Sequence, residues 1–267
     1  MPPISAGSRY VAMGSSFAAG PGIPRRAPGS PRRAGRSSGN YAHIVARALG
    51  LELQDVTYSG TTTSDILRPS RSGAPAQLDA LTQDTSLVTI TAGGNDVGYL
   101  PRLTLASLPM PLRALPFVTS RVRDYGDPAA TDERYAQLDR NLATIGRSIR
   151  ERAPASRVLF VDYLTILPPD DDNRDGPPRA AIAQWGRHTA SRLSAATRAA
   201  AEESGCQYVS ASAASAEHHA WAATPWTRRF HLGLRGGAPY HPNAAGMAAV
   251  ADLVLAALAE PQPDGRD

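Results

Sequence analysis

The stretch Val11-Ala-Met-Gly-Ser-Ser-Phe-Ala-Ala-Gly20 decides the fold of this chain, because a short apolar run stops within it at Gly14-Ser15-Ser16. The run has the character of a buried strand, and it passes at once into small residues. In α/β proteins, such strand ends often carry a nucleophile or a phosphate-binding loop. The stretch therefore predicts a first strand near Tyr10 to Met13 and a candidate site directly after it.

Similar apolar runs alternate along the chain with longer alanine-rich segments of helical period. This alternation is typical of a parallel sheet covered by helices on both faces. The predicted strands lie near Tyr10 to Met13, Leu51 to Tyr58, Leu87 to Thr91, Val158 to Val161 and Tyr208 to Ser210. The predicted helices are Asn40 to Leu49, Ala76 to Thr82, Asp132 to Arg152, Ala180 to Ser204 and Asn243 to Leu258. We expect one doubly wound domain over residues 1–267 with a mostly parallel, five-stranded sheet.

Two segments fit neither a strand nor a regular helix. Residues 20–39 form a loop rich in proline, glycine and arginine, and residues 99–128 form an apolar insertion broken by prolines. The insertion follows a candidate site loop, so two interpretations stay open: it walls a pocket for an acyl chain, or it packs on the body of the domain.

The charge and the cysteine content of the chain argue against several kinds of binding site. All 28 basic residues are arginine, 24 residues are acidic, and the net charge is +4. The densest basic cluster, Arg25 to Arg36, reads as a solvated loop, so no nucleic-acid partner is expected. The single cysteine, Cys206, excludes an internal disulfide and disfavours a thiolate metal site.

The sequence also bears on location. The N-terminus has no apolar run of signal length, and no stretch elsewhere reaches the roughly 20 residues that a bilayer-spanning helix needs. We expect a cytoplasmic protein without stable membrane insertion, with an exported form that has lost its leader as the alternative.

Three further motifs stand at predicted strand ends or near the C-terminus: Tyr58-Ser-Gly60-Thr, Thr91-Ala-Gly-Gly-Asn-Asp96 and Tyr240-His-Pro-Asn243. Each alone is common turn chemistry. Ligands of parallel sheets bind outside the carboxyl ends of the strands, so these motifs are expected to converge on one rim. With Gly14-Ser15-Ser16, and in this order, they resemble the four blocks of the SGNH hydrolases, the GDSL-type esterases and lipases.

The resemblance extends from Gly14 to Gly246 and implies a three-layer α/β/α, flavodoxin-like fold. It implies that Ser16 is the nucleophile and His241 the general base and acid. It also implies an oxyanion hole formed by the amides of Ser16 and Gly60 and the side chain of Asn95. No metal or organic cofactor is called for, and the implied partner is a small-molecule ester or lipid substrate.

The chemistry of ester cleavage explains these residue types. A serine hydroxyl is too weakly acidic to attack an ester unaided, so a neutral imidazole must take its proton and later return it to the leaving alcohol. The developing oxyanion needs preorganised hydrogen-bond donors. Asp96 is interpreted as a partner that holds the Asn95 loop. The remaining imidazoles are interpreted as packing or solvated groups: His43, His188, His218, His219 and His231.

The first departure from the family pattern precedes the nucleophile. The family aspartate is replaced by Ser15, which thereby becomes a rival nucleophile. Strand alternation and the family register both favour Ser16, the second residue after Gly14.

The second departure concerns the acid that orients the histidine. The family has an aspartate three residues before the histidine, and that position is Ala238 here. We hypothesise that the main-chain carbonyl of Ala238 orients the His241 ring, which leaves a Ser/His dyad. An aspartate from elsewhere, Asp162 or one of Asp170 to Asp172, is the alternative.

Carboxylic esters are the predicted substrates, with short to medium acyl chains favoured because no long continuous apolar lid is apparent. The alternatives are a carbohydrate deacetylase or a lysophospholipase or lipase of the same family. A catalytically silent binding protein, in which the missing acids at positions 15 and 238 record lost activity, is the alternative of another class.

Overall fold

A computed structural model describes residues 4–70, 73–125, 128–169, 175–232 and 237–260 of the 267-residue chain. Five strands form its single described sheet in the order β2-β1-β3-β4-β5, and all neighbouring strands are parallel. The strands are β1 Arg9–Gly14, β2 Glu52–Asp55, β3 Thr85–Thr91, β4 Arg157–Val161 and β5 Gln207–Val209. The predicted α/β fold with a parallel five-stranded sheet is confirmed.

Helices lie between these strands and after the last one. They are α1 Ser16–Ala19, α2 Tyr41–Leu49, α3 Thr63–Leu67, α4 Tyr99–Ala106, α5 Met110–Arg113, α6 Pro116–Asp124, α7 Pro128–Arg152, α8 Ala180–Glu203, α9 Ala211–Ala214 and α10 Ala244–Ala259. Short 3₁₀ turns cover Arg32–Ala34, Gln77–Ala80 and Ala216–His218. In the described ranges, no helix is both long enough and apolar enough to cross a bilayer.

The central strands are buried on both sides, as expected for a parallel sheet between helical layers. In β1, Tyr10, Val11 and Met13 are fully buried, and every residue of β4 after Arg157 is buried as well. Among the helices, α2 packs against α10, and α7 packs against α8. Strand β1 lies between β2 and β3, and this is the point where the strand order reverses. Ligand sites of doubly wound sheets lie at such a point, outside the carboxyl ends of the strands.

Two predicted elements are shorter than expected. Strand β2 ends at Asp55, because the Asp55 carboxylate accepts hydrogen bonds from the amide and hydroxyl of Thr57 and turns the chain out of the sheet. The helix predicted over Ala76 to Thr82 is only the 3₁₀ turn Gln77–Ala80. Its Gln77 side chain points inward to the backbone of Gly14.

The prediction that residues 99–128 contain no regular helix is wrong. The segment forms α4, α5 and α6, and its prolines lie where a helix tolerates them. Pro116 is the first residue of α6, and Pro111 lies in the first turn of α5. At these positions the missing N–H has no acceptor within the helix.

The parts of this insertion differ in how deeply they are buried. In α4, Tyr99, Leu100 and Leu103 are buried against the body of the protein, so this part packs as one interpretation expected. In contrast, no residue of α5 is buried.

The loop at residues 20–39 contains only the turn Arg32–Ala34 among regular elements. Arg25, Arg26, Arg32 and Arg33 are exposed, which agrees with a solvated basic loop. Arg36 differs from these four, because it is half-buried and its Nε donates to the carbonyl of Thr57.

Candidate active site

The turn after β1 presents Ser16 at the rim of the sheet. Gly14 has a φ of +135°, and a Cβ at this position would lie 2.3 Å from the carbonyl oxygen of Thr91 in β3. Only glycine therefore permits this approach of the two strands. The Gln77 amide fixes the turn, because its oxygen accepts from Gly14 N at 2.7 Å and its nitrogen donates to Gly14 O at 3.0 Å.

Ser16 and His241 are brought together from opposite ends of the sequence. Ser16 Oγ lies 2.7 Å from His241 Nε2, and the Ser16 residue is 9% exposed at the start of α1. Burial lowers the pKa of His241 to about 4, an effect that the Pro239 carbonyl opposes and the charge of Arg228 adds to. The ring is therefore neutral at pH 7 and able to accept the serine proton.

The His241 segment is held by backbone contacts before α10 begins. Arg228 N donates to His241 O at 3.0 Å, and Thr227 pairs with Pro242 in an isolated antiparallel bridge. Asn243 caps α10 through Gly246 N at 2.9 Å. His241 is therefore free of the capping role, and its ring faces Ser16.

The carbonyl that meets the ring belongs to Pro239, not to Ala238 as predicted. His241 Nδ1 lies 2.7 Å from Pro239 O, whereas Ala238 O accepts the backbone N–H of His241 at 3.4 Å. The physical reason is Tyr240, whose φ of +61° turns the chain so that the carbonyl two residues before the histidine faces Nδ1. A dipole thus takes the position next to the imidazole that a carboxylate occupies in a Ser/His/Asp triad.

The alternative acid, Asp162, makes its hydrogen bonds with residues other than His241. It lies directly after β4, is 2% exposed, and accepts hydrogen bonds from side chains on α8, β5 and α9. The donors are the hydroxyls of Ser194, Tyr208 and Ser212 and the amide of Ser212. No hydrogen bond or ion pair joins it to His241 within the described chain. The other proposed acids, Asp170 to Asp172, lie outside the described residues.

The three predicted oxyanion donors lie on loops that hydrogen bonds tie together. Tyr58 N donates to Gly14 O at 3.0 Å, and Asn95 Nδ2 donates to Thr61 O at 2.8 Å. Gly60 lies between these contacts with a φ of +86°. In the part of the chain that the structure describes, the amides of Ser16 and Gly60 donate to no protein acceptor. Both amides, and the second N–H of the Asn95 side chain, are available to a bound oxygen atom.

The Asn95 loop is anchored to α3 through its neighbour Asp96. The Asp96 carboxylate accepts from the amide of Thr63 at 3.0 Å and from its hydroxyl, as the interpretation of Asp96 as a loop partner expected. Asn141 of α7 adds a bond from its amide to the same Thr63 hydroxyl at 2.8 Å. Burial raises the pKa of Asp96 to about 6, while its bonds to Thr63 oppose this rise.

Ser15, the rival nucleophile, points away from the imidazole. Its hydroxyl lies 3.3 Å from the hydroxyl of Tyr163, which also accepts the amide N–H of Gly94 at 2.9 Å. Tyr163 is not among the residues predicted from the sequence; it is buried, and its ring also packs at 4.6 Å from that of Phe17. Its position two residues after β4, on the same rim, was the available signal. Tyr163 therefore joins the loops before Ser16 and Asn95.

A cavity of about 920 Å³ opens next to Gly60, one of the candidate oxyanion donors. Gly60 and Thr61 belong to its wall. The rest of the lining mixes apolar side chains such as Val56 with charged ones such as Arg68 and Asp65.

The chain is similar to known proteins in sequence and in fold. The sequence pattern of the GDSL-like lipase/acylhydrolase family matches residues 12–249. Lipase 2 of Streptomyces coelicolor is 34% identical over 255 residues, which cover 93% of this chain and 85% of that protein.

Two solved structures have a similar fold. The crystal structure of an extracellular lipase from Streptomyces rimosus has a TM-score of 0.75 and 24% identity, and the match covers 94% of this chain and 99% of that one. The structure of phospholipase A1 from Streptomyces albidoflavus has a TM-score of 0.73 and 23% identity, with the same two coverages. At these identities the likeness extends to the fold alone.

Proposed function

Because the chain belongs to the GDSL-like lipase/acylhydrolase family, and is thus a lipase/esterase-type hydrolase, we propose that Ser16 and His241 carry out its ester cleavage. The observation that carries the proposal is the 2.7 Å contact between Ser16 Oγ and His241 Nε2. The imidazole nitrogen remote from Ser16 meets the Pro239 carbonyl, which supports a tautomer with the proton on Nδ1. In this tautomer Nε2 is the acceptor and can take the serine proton.

The proposed reaction is acyl transfer in two stages. Ser16 Oγ attacks the ester carbonyl carbon while its proton passes to His241 Nε2, and the oxyanion binds to the amides of Ser16 and Gly60 and the side chain of Asn95. Collapse of this intermediate breaks the bond to the alcohol, which leaves with the proton from His241. Water then attacks the acyl-serine with the same proton relay and releases the carboxylic acid.

We propose short- to medium-chain acyl esters as the preferred substrates. The cavity next to Gly60 supports this choice, because arginine and aspartate side chains interrupt its apolar lining. A long acyl chain needs a continuous apolar wall, whereas a short chain or a polar alcohol part tolerates a mixed one.

The test is hydrolysis of p-nitrophenyl esters from two to sixteen carbons by the wild type, Ser16→Ala and Ser15→Ala. We expect Ser16→Ala to lose about 10³-fold or more in kcat, as removal of a serine nucleophile does. Ser15→Ala is the matched control and should stay within tenfold, because its hydroxyl faces Tyr163. Circular dichroism and thermal unfolding establish that each variant is folded.

Two results would overturn the proposal. Retained turnover in folded Ser16→Ala would remove this serine from the reaction, and equal loss in both variants would remove the distinction between them. A rate maximum beyond about ten carbons would reject only the proposed chain length. An organophosphorus probe gives an independent check, since it should label the wild type and Ser15→Ala but not Ser16→Ala.

The location of the protein, inside or outside the cell, is a separate proposal. The cytoplasmic location expected above is one candidate, while one solved relative is described as an extracellular lipase, which supports export. Detection of the protein in washed cells or in culture medium distinguishes the two.

A further inference from the structure

The segment between Met110 and Asp124 exposes an unusual amount of apolar surface. Met110 and Phe117 are 63% and 66% exposed, and Leu112 and Leu115 are 43% and 38% exposed. Among large apolar side chains of the described residues, only Leu232 is exposed outside this segment. Single exposed apolar residues are normal, but four within eight positions form a patch that points to a binding surface.

This patch is fixed beside the candidate active site at two points. The helix that leads into it, α4, begins four residues after Asn95. At the end of α4, the Ser107 hydroxyl lies 2.7 Å from the hydroxyl of Tyr240, the residue before His241. The three residues from Ser107 to Met110 span at most about 10 Å. A surface bound at the patch would therefore lie next to the catalytic rim.

Positive charge accompanies the apolar side chains. Arg113, Arg121 and Arg123 belong to the segment, against the single acidic residue Asp124. The exposed apolar residues and these arginines together form what we call the docking surface: Met110, Leu112, Leu115, Phe117, Arg113, Arg121 and Arg123.

A cavity of about 550 Å³ opens between α4, α5 and α6, and Arg102, Arg113 and Arg123 belong to its lining. The guanidinium of Arg102 stacks on the Trp185 ring at 4.3 Å. Its buried Nε has no hydrogen-bond partner in the ranges that the structure describes. Arginine is the side chain best suited to bind phosphate through several N–H groups at once. The cavity thus offers donors for an anionic group next to the apolar patch.

We propose that the docking surface binds the interface of an aggregated anionic phospholipid. Met110 and Phe117 enter the boundary between head groups and acyl chains, and the arginines contact the phosphates. Apolar side chains flanked by cations are the pattern of proteins that lie in a membrane interface. This proposal concerns binding and does not depend on the identity of the nucleophile.

Sedimentation with vesicles tests the binding directly. The protein carries Ser16→Ala so that the lipid is not consumed, and the vesicles contain either phosphatidylcholine alone or phosphatidylcholine with phosphatidylglycerol. We expect at least tenfold tighter binding to the anionic vesicles, and weaker binding as salt increases. Phe117→Ser and the double variant Arg121→Gln, Arg123→Gln should each reduce the affinity at least fivefold, and the arginine variant should also flatten the salt dependence.

Leu232→Ser is the matched control, because Leu232 is 59% exposed but lies outside the docking surface. Its vesicle binding should equal that of the parent. In the background with Ser16 intact, the docking variants should hydrolyse a water-soluble short ester at the parental rate, which shows that a loss of vesicle binding is not a loss of fold.

Three outcomes would overturn the proposal. Equal binding to neutral and anionic vesicles would remove the role of the arginines. Unchanged binding by Phe117→Ser and by the double arginine variant would move the lipid contact elsewhere. A concentration-dependent dimer in sedimentation velocity that Phe117→Ser dissociates would identify a second copy of the chain as the occupant.

Discussion

Two polar groups at the carboxyl rim of the sheet, His241 and Asp162, have opposite surroundings. Asp162 follows β4, and its carboxyl group accepts hydrogen bonds from the hydroxyls of Ser194, Tyr208 and Ser212. His241 has one carbonyl at Nδ1 and one hydroxyl at Nε2. The rim therefore keeps its carboxylate in a structural network and leaves the candidate base neutral.

The difference between His241 and Asp162 shows how a histidine can be oriented without a carboxylate. A buried negative charge beside an imidazole would favour the protonated ring and raise its pKa. A carbonyl dipole fixes the same tautomer, while burial holds the pKa of His241 at about 4. The ring is thus a weaker base than in a triad but is in its active form across the neutral range.

Beyond the loss expected for Ser16→Ala, the largest expected effect tests whether the reaction takes place on the His241 side of the rim. Asn95→Ala removes the side-chain donor proposed for the oxyanion, and kcat should fall about 10²- to 10³-fold, as for other oxyanion-hole donors. The measurement is hydrolysis of the best p-nitrophenyl ester. Asn141→Ala is the matched control, since Asn141 supports the neighbouring Thr63 from α7. A rate for Asn95→Ala close to that of Asn141→Ala would contradict the role of Asn95.

The next largest effect is expected in the pH dependence of kcat/KM. Because the pKa of His241 is lowered to about 4, kcat/KM should be constant from about pH 5 to pH 8. Below pH 4 it should fall tenfold per pH unit, since the protonated ring cannot accept the serine proton. An acid limb centred near 6.5, the ordinary pKa of histidine, would contradict the effect of burial.

Acid also changes stability, so folding must be followed at each pH. The lowered pKa of His241 makes the fold lose stability as the pH falls from about 6.5 to 4. Asp96 acts in the opposite direction, because its pKa is raised to about 6 and its protonation stabilises the fold as the pH falls through the same window. Near-ultraviolet circular dichroism separates unfolding from titration of the base.

A smaller effect is expected when a charge is placed near the imidazole. Ala238→Asp introduces a carboxylate three residues before His241, while the Pro239 carbonyl already orients the ring. The rate at pH 8 should change by less than tenfold, and the acid limb should move to higher pH because a nearby carboxylate stabilises the protonated ring. Ala238→Asn, with the same shape and no charge, should leave the acid limb in place. A folded Ala238→Asp variant without activity would show that the carbonyl does not suffice to orient the ring.

The smallest effect on kcat is expected when Asp162 is substituted. Asp162→Asn should leave kcat within about threefold, because the residue is bonded to Ser194, Tyr208 and Ser212 and not to His241. The free energy of unfolding should fall by about 1 to 3 kcal/mol, since the buried hydroxyls lose a charged acceptor. Asp252→Asn, at an exposed position of α10, is the stability control. A hundredfold loss of kcat at unchanged stability would reassign Asp162 to catalysis.

The sequence predicts the sheet well because its strands are short, apolar and clearly separated by helical segments. It also indicates the four loops of the candidate site, since each carries its own motif at a strand end or before a helix. The Ser16 and His241 positions follow from these motifs, although only the fold brings their side chains to 2.7 Å.

The predictions that differ from the structure do so for local physical reasons. The sequence does not predict the helices α4, α5 and α6 because prolines interrupt this segment, although Pro116 begins its helix. The orienting carbonyl was assigned one residue too early, because the left-handed conformation of Tyr240 cannot be read from a residue type that rarely adopts it. The partners of Asp162 come from α8, β5 and α9, and no local pattern indicates which hydroxyls will surround a buried carboxylate.

The bond between Ser16 and His241 joins residues 225 positions apart, which has a consequence for how activity arises. Contacts of such separation form only after the intervening chain has collapsed, and they are among the slowest to be established. On the ribosome, Ser16 and the Asn95 loop emerge long before His241, the proposed base. The growing chain therefore passes through most of its synthesis without the proposed Ser16/His241 pair, and the onset of ester cleavage during refolding is expected to coincide with the folding of its C-terminal part.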